Sequence, residues 1–211
     1  MFTRTLSDNA AKALAALGKS KICRSAYLAG GTALALHLGH RVSIDLDFFN
    51  EVDFDSREIV TRLKTLGVYE SQQQTEKTIN GIFNSVKFSY FYYPYKLISP
   101  TIEFKEIALA STEDIAAMKL VAITDRGTKK DYIDLYFLAK KYSFEEMFEF
   151  YEKKYHLLDQ NRMTILKSLN YFFDADESEM PVMIEKIQWE EVKSYFKAIV
   201  PPLAKKILDL E

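Results

Sequence analysis

The chain opens with apolar residues at helical spacing and then changes to the alternating apolar and polar positions of half-buried strands. This part predicts, in order, a helix over Asp8 to Gly18 ended by its glycine, a strand over Ser25 to Ala29, a turn at Gly30-Gly31, a helix over Thr32 to Leu38 and a strand over Ser43 to Phe49. In the last strand Ile44, Leu46 and Phe48 alternate with Ser43, Asp45 and Asp47. The alternation predicts one apolar and one acidic face.

The middle of the chain predicts strands and the remainder predicts helices. Asn80-Gly81 lies between strand-like runs and predicts a hairpin turn, with further strands over Val86 to Tyr93 and Thr101 to Ile107. The later helices are predicted from Ser111 or Thr112 to about Asp125, from Thr128 or Lys129 to Lys141, after a Ser143 capping box, over Leu158 to Phe173, over Gln188 to Ile199 and over Leu203 to Leu208. The predicted fold class is α+β, with a mixed domain over residues 1–110 and an all-helical domain over residues 111–211.

Composition narrows the class of protein. The 211 residues include 28 Lys and Arg against 30 Asp and Glu, and 14% are aromatic, which excludes disorder and argues against purely electrostatic binding of nucleic acid. The lone Cys23 cannot form an internal disulfide, and His37, His40 and His156 are too few and too scattered for a zinc site. Without a secretory signal pattern or a long apolar run, the sequence predicts a cytoplasmic protein with no membrane segment.

Candidate chemistry is concentrated between Gly30 and Asp47. A glycine pair before a helix leaves backbone N–H groups to face a phosphate, with the helix dipole behind them. Asp45 and Asp47 share a strand face, and carboxylates hold Mg²⁺ together with phosphate oxygens. Each feature alone is common in turns and solvated strands, but their order favours a metal and phosphate site. Arg41 and Ser43 either bond within the turn that presents the aspartates or contact phosphate.

Two stretches carry a family resemblance. Residues Tyr27 to Phe49 read YLAGGTALALHLGHRVSIDLDFF, and Ala117 to Leu138 read AMKLVAITDRGTKKDYIDLYFL. The first resembles the opening signature of the AbiEii/AbiGii-type nucleotidyltransferases, and the second resembles their later block of a lysine followed by Arg and Lys-Asp-x-x-Asp. These enzymes belong to the DNA polymerase beta-like superfamily, and many are toxins of bacterial toxin–antitoxin systems. The resemblance implies a nucleotidyltransferase-type mixed sheet with flanking helices, whose active-site cleft the helical domain completes.

The resemblance implies a role for each matching residue. Gly30, Gly31 and Thr32 would cradle the triphosphate of an NTP. Asp45 and Asp47 would bind Mg²⁺, with Mn²⁺ as an alternative, and Lys119 would reach the phosphates or position the nucleotide. Asp134 matches the later catalytic acid, and Asp131 is its neighbour in the nucleotide site. The implied reaction moves NMP from an NTP to a macromolecular acceptor, either a tRNA end or a protein hydroxyl, and the implied partner is a cognate antitoxin.

The second block also has an ordinary structural interpretation. Asp131 and Asp134 are three residues apart, and Lys130 is four residues from Asp134, so they could form surface salt links on one helix. Arg126 could approach a nucleotide or RNA acceptor, or could cap the end of its helix.

One feature departs from the superfamily pattern. A third carboxylate is expected on a strand after the acidic strand, where Val86 to Tyr93 has none and Ser89 stands near the expected position. Glu103 or Glu106 could substitute, or the metal could be held by two carboxylates and phosphate oxygens. The missing carboxylate therefore leaves a degenerate nucleotide-binding protein as an alternative. Kinase-like phosphoryl transfer is another, because some nucleotide-binding relatives act as kinases. For the aromatic run around Phe88 to Tyr95, core packing is favoured over base stacking.

Overall fold

The computed structural model describes residues 1–156 and 160–208, so the predicted helix start at Leu158 lies outside the described residues. The chain divides into two compact units, Met1–Ser111 and Thr112–Glu211. The first unit contains a mixed sheet with helices, and the described part of the second is helical. These elements confirm the predicted α+β class.

The first unit is built from three α-helices and seven strands in its described residues, Met1 to Ser111. Its helices are α1 (Asp8–Ser20), α2 (Gly30–Leu38) and α3 (Ser56–Leu66). Its strands are β1 (Tyr27–Leu28), β2 (Leu46–Asn50), β3 (Tyr69–Gln74), β4 (Thr78–Phe83), β5 (Val86–Tyr92), β6 (Ile102–Phe104) and β7 (Ile107–Leu109).

The sheet has the order β3-β4-β5-β2-β1-β7-β6. Strand β2 is parallel to β5 and antiparallel to β1, whereas β1 is parallel to β7. The antiparallel pairs β3–β4, β4–β5 and β6–β7 are joined by short connections. The acidic strand β2 therefore lies at the centre of the sheet.

One face of the sheet is buried and supplies the core. Leu46 and Phe48 of β2 are fully buried, as are their register partners Phe88 and Tyr90 of β5. The intervening residues of β2, Asp47 and Phe49, are only half-buried. Since register partners project to the same side, the sheet has an apolar face and a second face that carries Asp47. We call this second side the Asp47 face.

The acidic strand is shorter than predicted. β2 begins at Leu46, so Asp45 lies immediately before the strand, and Ile44 is 55% exposed instead of joining the apolar face. Around Ser43 the chain pairs outside the main sheet, since the Ser43 amide donates to the Thr5 carbonyl at 2.9 Å. The predicted strand residues Ser43 to Asp45 therefore lie outside β2, and Ser43 bonds to the N-terminal segment instead.

The predicted hairpin turn at Asn80-Gly81 is wrong. Both residues lie inside β4, and the β4–β5 turn is Asn84-Ser85, which has two residues with positive φ. Gly81 is instead required by a close approach, because a Cβ there would lie 2.3 Å from the Glu70 carbonyl oxygen. The irregular register between β3 and β4 at Ser71/Gln73 lies beside it.

The strand predicted over Thr101 to Ile107 is also wrong, because these residues form two strands joined by a tight turn. The turn residues Lys105 and Glu106 both have positive φ, which is the geometry of a two-residue hairpin. Neither residue belongs to the usual glycine or asparagine signature of such turns. The sequence therefore offered no local sign of the break.

The described residues of the second unit form six α-helices. They are α4 (Thr112–Asp125), α5 (Lys129–Leu138), α6 (Phe144–Tyr155), α7 (Gln160–Ser168), α8 (Phe173–Glu177) and α9 (Trp189–Ile207). The predicted Ser143 capping box is confirmed, with Ser143 and Glu146 bonded reciprocally. The two helices predicted after Gln188 are one, α9, which continues through Pro201 and Pro202. Val200 and Leu203, which flank the two prolines, are buried, and their packing stabilises this part of α9.

Candidate active site

The glycine pair lies where α2 begins, as the sequence predicts. Gly30 has φ +67°, a left-handed conformation that strongly favours glycine. A Cβ on Gly30 would lie 3.4 Å from Oδ2 of Asp47, so the carboxylate rests directly against the turn. The Ala29 amide also donates to the Asp47 carbonyl at 3.1 Å. The structure therefore brings the glycine turn and the second aspartate together.

Thr32 ties this turn to the acidic segment. Its hydroxyl donates to Ser43 Oγ at 2.9 Å and makes a short contact with the Asp45 carbonyl oxygen. The Thr32 side chain is thus used to hold the segment that carries Asp45 against the first turn of α2. Asp45 and Asp47 are both half-buried, which leaves part of each residue accessible.

Arg41 and Ser43 pack on the other glycine of the pair. A Cβ on Gly31 would lie 2.4 Å from Arg41 Nη2 and 3.3 Å from Ser43 Oγ. Arg41 is buried, and its guanidinium donates to the Val42 carbonyl at 3.1 Å. Of the two alternatives drawn from the sequence, the structure shows the bonding within the turn. Contact of these residues with phosphate stays a prediction.

The strand β5, next to β2, has no carboxylate at the position where a third one is expected. Ser89 is the register partner of Asp47 across the parallel pair β2–β5, so it occupies the adjoining position on the Asp47 face. Glu103 lies on β6, the far edge strand, three strand positions from β2 or about 14 Å. Glu106 is in the β6–β7 turn. Neither glutamate lies on a strand next to Asp47, and a role for either as the third ligand stays a prediction. Within the described residues, no group of three or more His, Cys, Asp or Glu could hold a metal ion.

The later block forms a buried ionic cluster in the second unit. Nζ of Lys119, on α4, lies 2.9 Å from Oδ1 of Asp131 and 2.6 Å from Oδ2 of Asp134, both on α5. All three side chains are at most 4% exposed. The interpretation of the two aspartates as surface salt links is therefore wrong, because their partner is the buried Lys119 of another helix. Two of the three ammonium N–H groups of Lys119 are used by these carboxylates.

Asp131 is the most heavily bonded member of this cluster. Arg126 donates to both of its oxygens, at 2.9 and 3.0 Å, and Thr128 donates from its amide and its hydroxyl. Burial alone would raise the pKa of Asp131, but Lys119 and Arg126 outweigh it and hold that pKa well below its usual range. Asp131 thus stays ionised and anchors the first turn of α5 through a capping box with Thr128.

Sequence reasoning missed the parts of this cluster that depend on contact between helices. Thr128 was recognised as a helix start, but its pairing with Asp131 was not, although the Thr-x-x-Asp spacing is that of a capping box with Asp in place of Glu. Arg126 was considered as a helix cap or a nucleotide contact. It instead forms a two-pronged ion pair with Asp131 while its own side chain is 62% exposed.

The fold indicates the class of this protein. Two solved structures align with it over nearly the whole chain. JHP933 from Helicobacter pylori aligns with a TM-score of 0.57 and 20% identity, over 97% of this chain and 95% of that one. MenT4, a nucleotidyltransferase toxin from Mycobacterium tuberculosis H37Rv, aligns with a TM-score of 0.55 and 13% identity, over 97% and 89%. The fold is that of nucleotidyltransferases.

The chain belongs to the AbiEii nucleotidyltransferase toxin family. The family model, described as the nucleotidyl transferase AbiEii toxin of a type IV toxin–antitoxin system, matches residues 12–207. An uncharacterized protein of Aquifex aeolicus (strain VF5) is 39% identical over 202 residues, which cover 92% of this chain and 95% of the relative. The resemblance seen in the two sequence blocks is thereby confirmed. Among the helices of the described residues, none is both long and apolar enough to cross a membrane.

Proposed function

We propose that the protein transfers NMP from an NTP to a macromolecular acceptor, as a Mg²⁺-dependent toxin. The contact between the Asp47 carboxylate and Gly30 carries this proposal. It sets an anionic ligand for a metal beside backbone N–H groups at the start of α2, where a triphosphate is stabilised by the helix dipole. A reaction that uses a metal and a polyphosphate needs these two features side by side.

The residues present fit Mg²⁺ held by two carboxylates and the oxygens of the nucleotide. Asp45 and Asp47 would supply the protein ligands, and Mg²⁺ is commonly bound by one or two carboxylates together with substrate phosphates. The bound ion would offset the negative charge that develops on the phosphates. Gly30, Gly31 and Thr32 would hold the triphosphate, with Arg41 and Ser43 supporting the turn from beneath Gly31.

We propose that Lys119 and Asp134 serve the same reaction. Lys119 keeps an N–H donor beyond the two that its carboxylate partners use, and that donor suits a phosphate oxygen. Asp134 would act on the acceptor hydroxyl as a general base. Asp131 would contribute to nucleotide binding by orienting Lys119, since its own oxygens accept bonds from Lys119, Arg126 and Thr128.

Labelled nucleotides test the reaction directly. The full chain is incubated with Mg²⁺, RNA, cell extract and an NTP labelled at the α-phosphate, and in parallel at the γ-phosphate. Transfer of NMP attaches the α-label to a macromolecule and releases the γ-label in pyrophosphate. The double substitution Asp45→Asn/Asp47→Asn should lower α-labelling about 100-fold or more, because metal coordination contributes several kcal/mol to the transition state.

The matched control is Asp53→Asn, which changes an exposed aspartate beyond the end of β2 and should leave labelling unchanged. Transfer of the γ-label would establish kinase-like chemistry instead. Equal labelling by the wild type and the double variant would exclude Asp45 and Asp47 as the site. Tight NTP binding without any transfer would establish a degenerate nucleotide-binding protein, the alternative that Ser89 beside Asp47 favours.

A further inference from the structure

The first six residues of the chain form a short segment that contacts the end of helix α2. A 3₁₀ turn over Thr3–Thr5 bends this segment, and the Thr5 hydroxyl donates to the Phe2 carbonyl at 2.7 Å within it. The Phe2 amide donates to the Leu36 carbonyl at 2.9 Å. That carbonyl is one of the last four of α2, which have no partner inside the helix. The segment Met1 to Leu6, which we call the N-terminal strap, therefore caps the end of α2.

The ring of Phe2 packs directly on Gly39, the residue that ends α2. Gly39 has φ +74°, and a Cβ there would lie 2.7 Å from Phe2 Cγ, so the ring occupies the space that a side chain would fill. Phe2 nevertheless remains 45% exposed, which is high for a phenylalanine that only fills a core. Its contact with the backbone at Gly39 is therefore the feature that needs an explanation.

A second contact of the strap lies beside the acidic segment. The Thr5 carbonyl accepts a hydrogen bond from the Ser43 amide at 2.9 Å, and Thr5 is fully buried. The hydroxyl of Thr32, on α2, contacts both Ser43 Oγ and the Asp45 carbonyl oxygen. The connection between α2 and β2 is therefore held by the strap and by Thr32 together.

These contacts matter because the two proposed metal ligands are fixed in different ways. Asp47 lies inside β2, where its register with β5 determines its position. Asp45 precedes the first residue of the strand, and the neighbouring Ile44 is 55% exposed, so burial of this side chain does little to fix the chain there. The position of Asp45 therefore depends on the contacts made by the residues before the strand.

We propose that the N-terminal strap is a positioning element of the metal site, in which Phe2 keeps Asp45 in place through the connection that begins at Gly39. This inference rests on the proposed function, since Asp45 is one of its metal ligands. A residue that orients a metal ligand contributes to metal affinity without touching the ion. Phe2 is therefore a positioning residue, and its loss should weaken metal binding.

Calorimetric titration of the full chain with Mn²⁺ alone tests this role. Phe2→Gln removes the ring and should weaken Mn²⁺ binding about 10-fold, at the lower end of the usual effect of losing a group that orients a metal ligand. Phe2→Tyr should restore the affinity of the wild type, because the ring remains at a half-exposed position. The matched control Thr3→Ala changes an exposed side chain of the same strap and should leave Mn²⁺ binding unchanged.

Amide hydrogen exchange, measured without any metal, gives a second readout. Phe2→Gln should speed the exchange of amides in residues 39–45, including that of Ser43, because local opening of this connection becomes easier. Exchange in β2 should stay like that of the wild type, since the strand is held by its neighbours in the sheet. Thr3→Ala should leave both regions unchanged.

Each outcome has a distinct meaning. Mn²⁺ affinity or exchange of residues 39–45 in Phe2→Gln equal to that of the wild type would overturn the inference. So would equal weakening by Phe2→Gln and Thr3→Ala, or failure of Phe2→Tyr to restore binding. In these cases the proposed reaction stands if α-label transfer still depends on Asp45 and Asp47. If the wild type neither binds Mn²⁺ nor transfers the α-label, but only Phe2→Gln speeds the exchange, the proposed function fails and the strap still holds this connection.

Discussion

Single residues in this protein are constrained mainly by close approaches between backbone segments. Gly18 was interpreted as the end of the first helix, yet α1 continues to Ser20 and ends at Lys21 in a left-handed conformation. A Cβ on Gly18 would lie 2.1 Å from the Lys105 carbonyl oxygen in the β6–β7 turn. Gly18 thus permits contact between a helix and a hairpin that lie far apart in sequence.

Gly18→Ala should therefore destabilise the protein, although alanine is the better helix former. Helix propensity alone favours the change by about 1 kcal/mol. Overpacking against a backbone oxygen, which cannot rotate away as a side chain can, should reverse the sign and lower the free energy of unfolding by about 1–3 kcal/mol. Chemical denaturation measures the difference. Lys19→Ala, at an exposed neighbouring position, serves as control; increased stability of Gly18→Ala would contradict the close approach.

At the scale of elements, the parallel pair of β2 and β5 decides the composition of the candidate metal site. Its register sets Ser89 next to Asp47, and Ser89 is only 3% exposed. A side chain introduced there is directed to the Asp47 face beside the proposed metal ligand. The pair is therefore the natural place to change the number of carboxylates.

Ser89→Asp should tighten binding of Mg²⁺ or Mn²⁺ and lower stability in the absence of the ion. A third carboxylate adds a hard oxygen ligand, but a buried carboxylate without a partner costs at least about 1 kcal/mol. Calorimetric titration with Mn²⁺ and thermal melting with and without the ion measure both effects. Ser89→Ala, the control, should change neither the Mn²⁺ affinity nor the melting temperature by a comparable amount. Unaltered Mn²⁺ affinity in Ser89→Asp would show that the metal does not bind beside Asp47.

At the scale of the whole molecule, buried carboxylates are distributed unequally between the two units. Among the described residues, the fully buried carboxylates Asp114, Asp131 and Asp134 all lie in the second unit. Asp114 is paired with the equally buried Lys154 at 2.7 Å. The chain has one tryptophan, Trp189 on α9, so its fluorescence reports on the second unit. Acid sensitivity should therefore be visible in that signal.

Tryptophan fluorescence should show unfolding of the second unit as the pH falls. The pKa of Asp131 is lower in the folded than in the unfolded chain. Its stabilising contribution is therefore present above the unfolded value, about pH 4, and is lost as the pH falls towards the folded value. Asp131→Asn should lower stability at neutral pH by about 3–5 kcal/mol, since it breaks a buried ion pair, and should weaken the dependence on acid.

Denaturant titrations followed by Trp189 emission at a series of pH values give the comparison. The variant Asp174→Asn, which changes an exposed aspartate, is the control and should leave the acid dependence in place. The same acid dependence in wild type and Asp131→Asn would show that Asp131 is not the group responsible.

Features of this protein that depend on neighbours in the chain were predictable. The glycine pair that opens α2, its order before the acidic strand, the Ser143 cap and the helices α4, α5 and α6 each follow from local spacing and backbone conformation. Two blocks, Tyr27 to Phe49 and Ala117 to Leu138, resemble the nucleotidyltransferase family closely enough to indicate it, and the family match confirms that resemblance. The positions of turns without glycine, such as Lys105-Glu106, were not predictable.

Contacts between distant segments were decided only by the tertiary structure. The pairing of Lys119 with Asp131 and Asp134 depends on how α4 packs against α5, and the adjacency of Ser89 to Asp47 depends on a parallel register between strands about forty residues apart. The same register divides the aromatic residues of β5 between the core and the Asp47 face. The local sequence does not encode these choices, because they depend on which distant segments pair, and the aromatic residues of β5 are compatible with either face. Burial of the apolar face selects one register, and that register places Ser89 and Phe91 on the same face as Asp47.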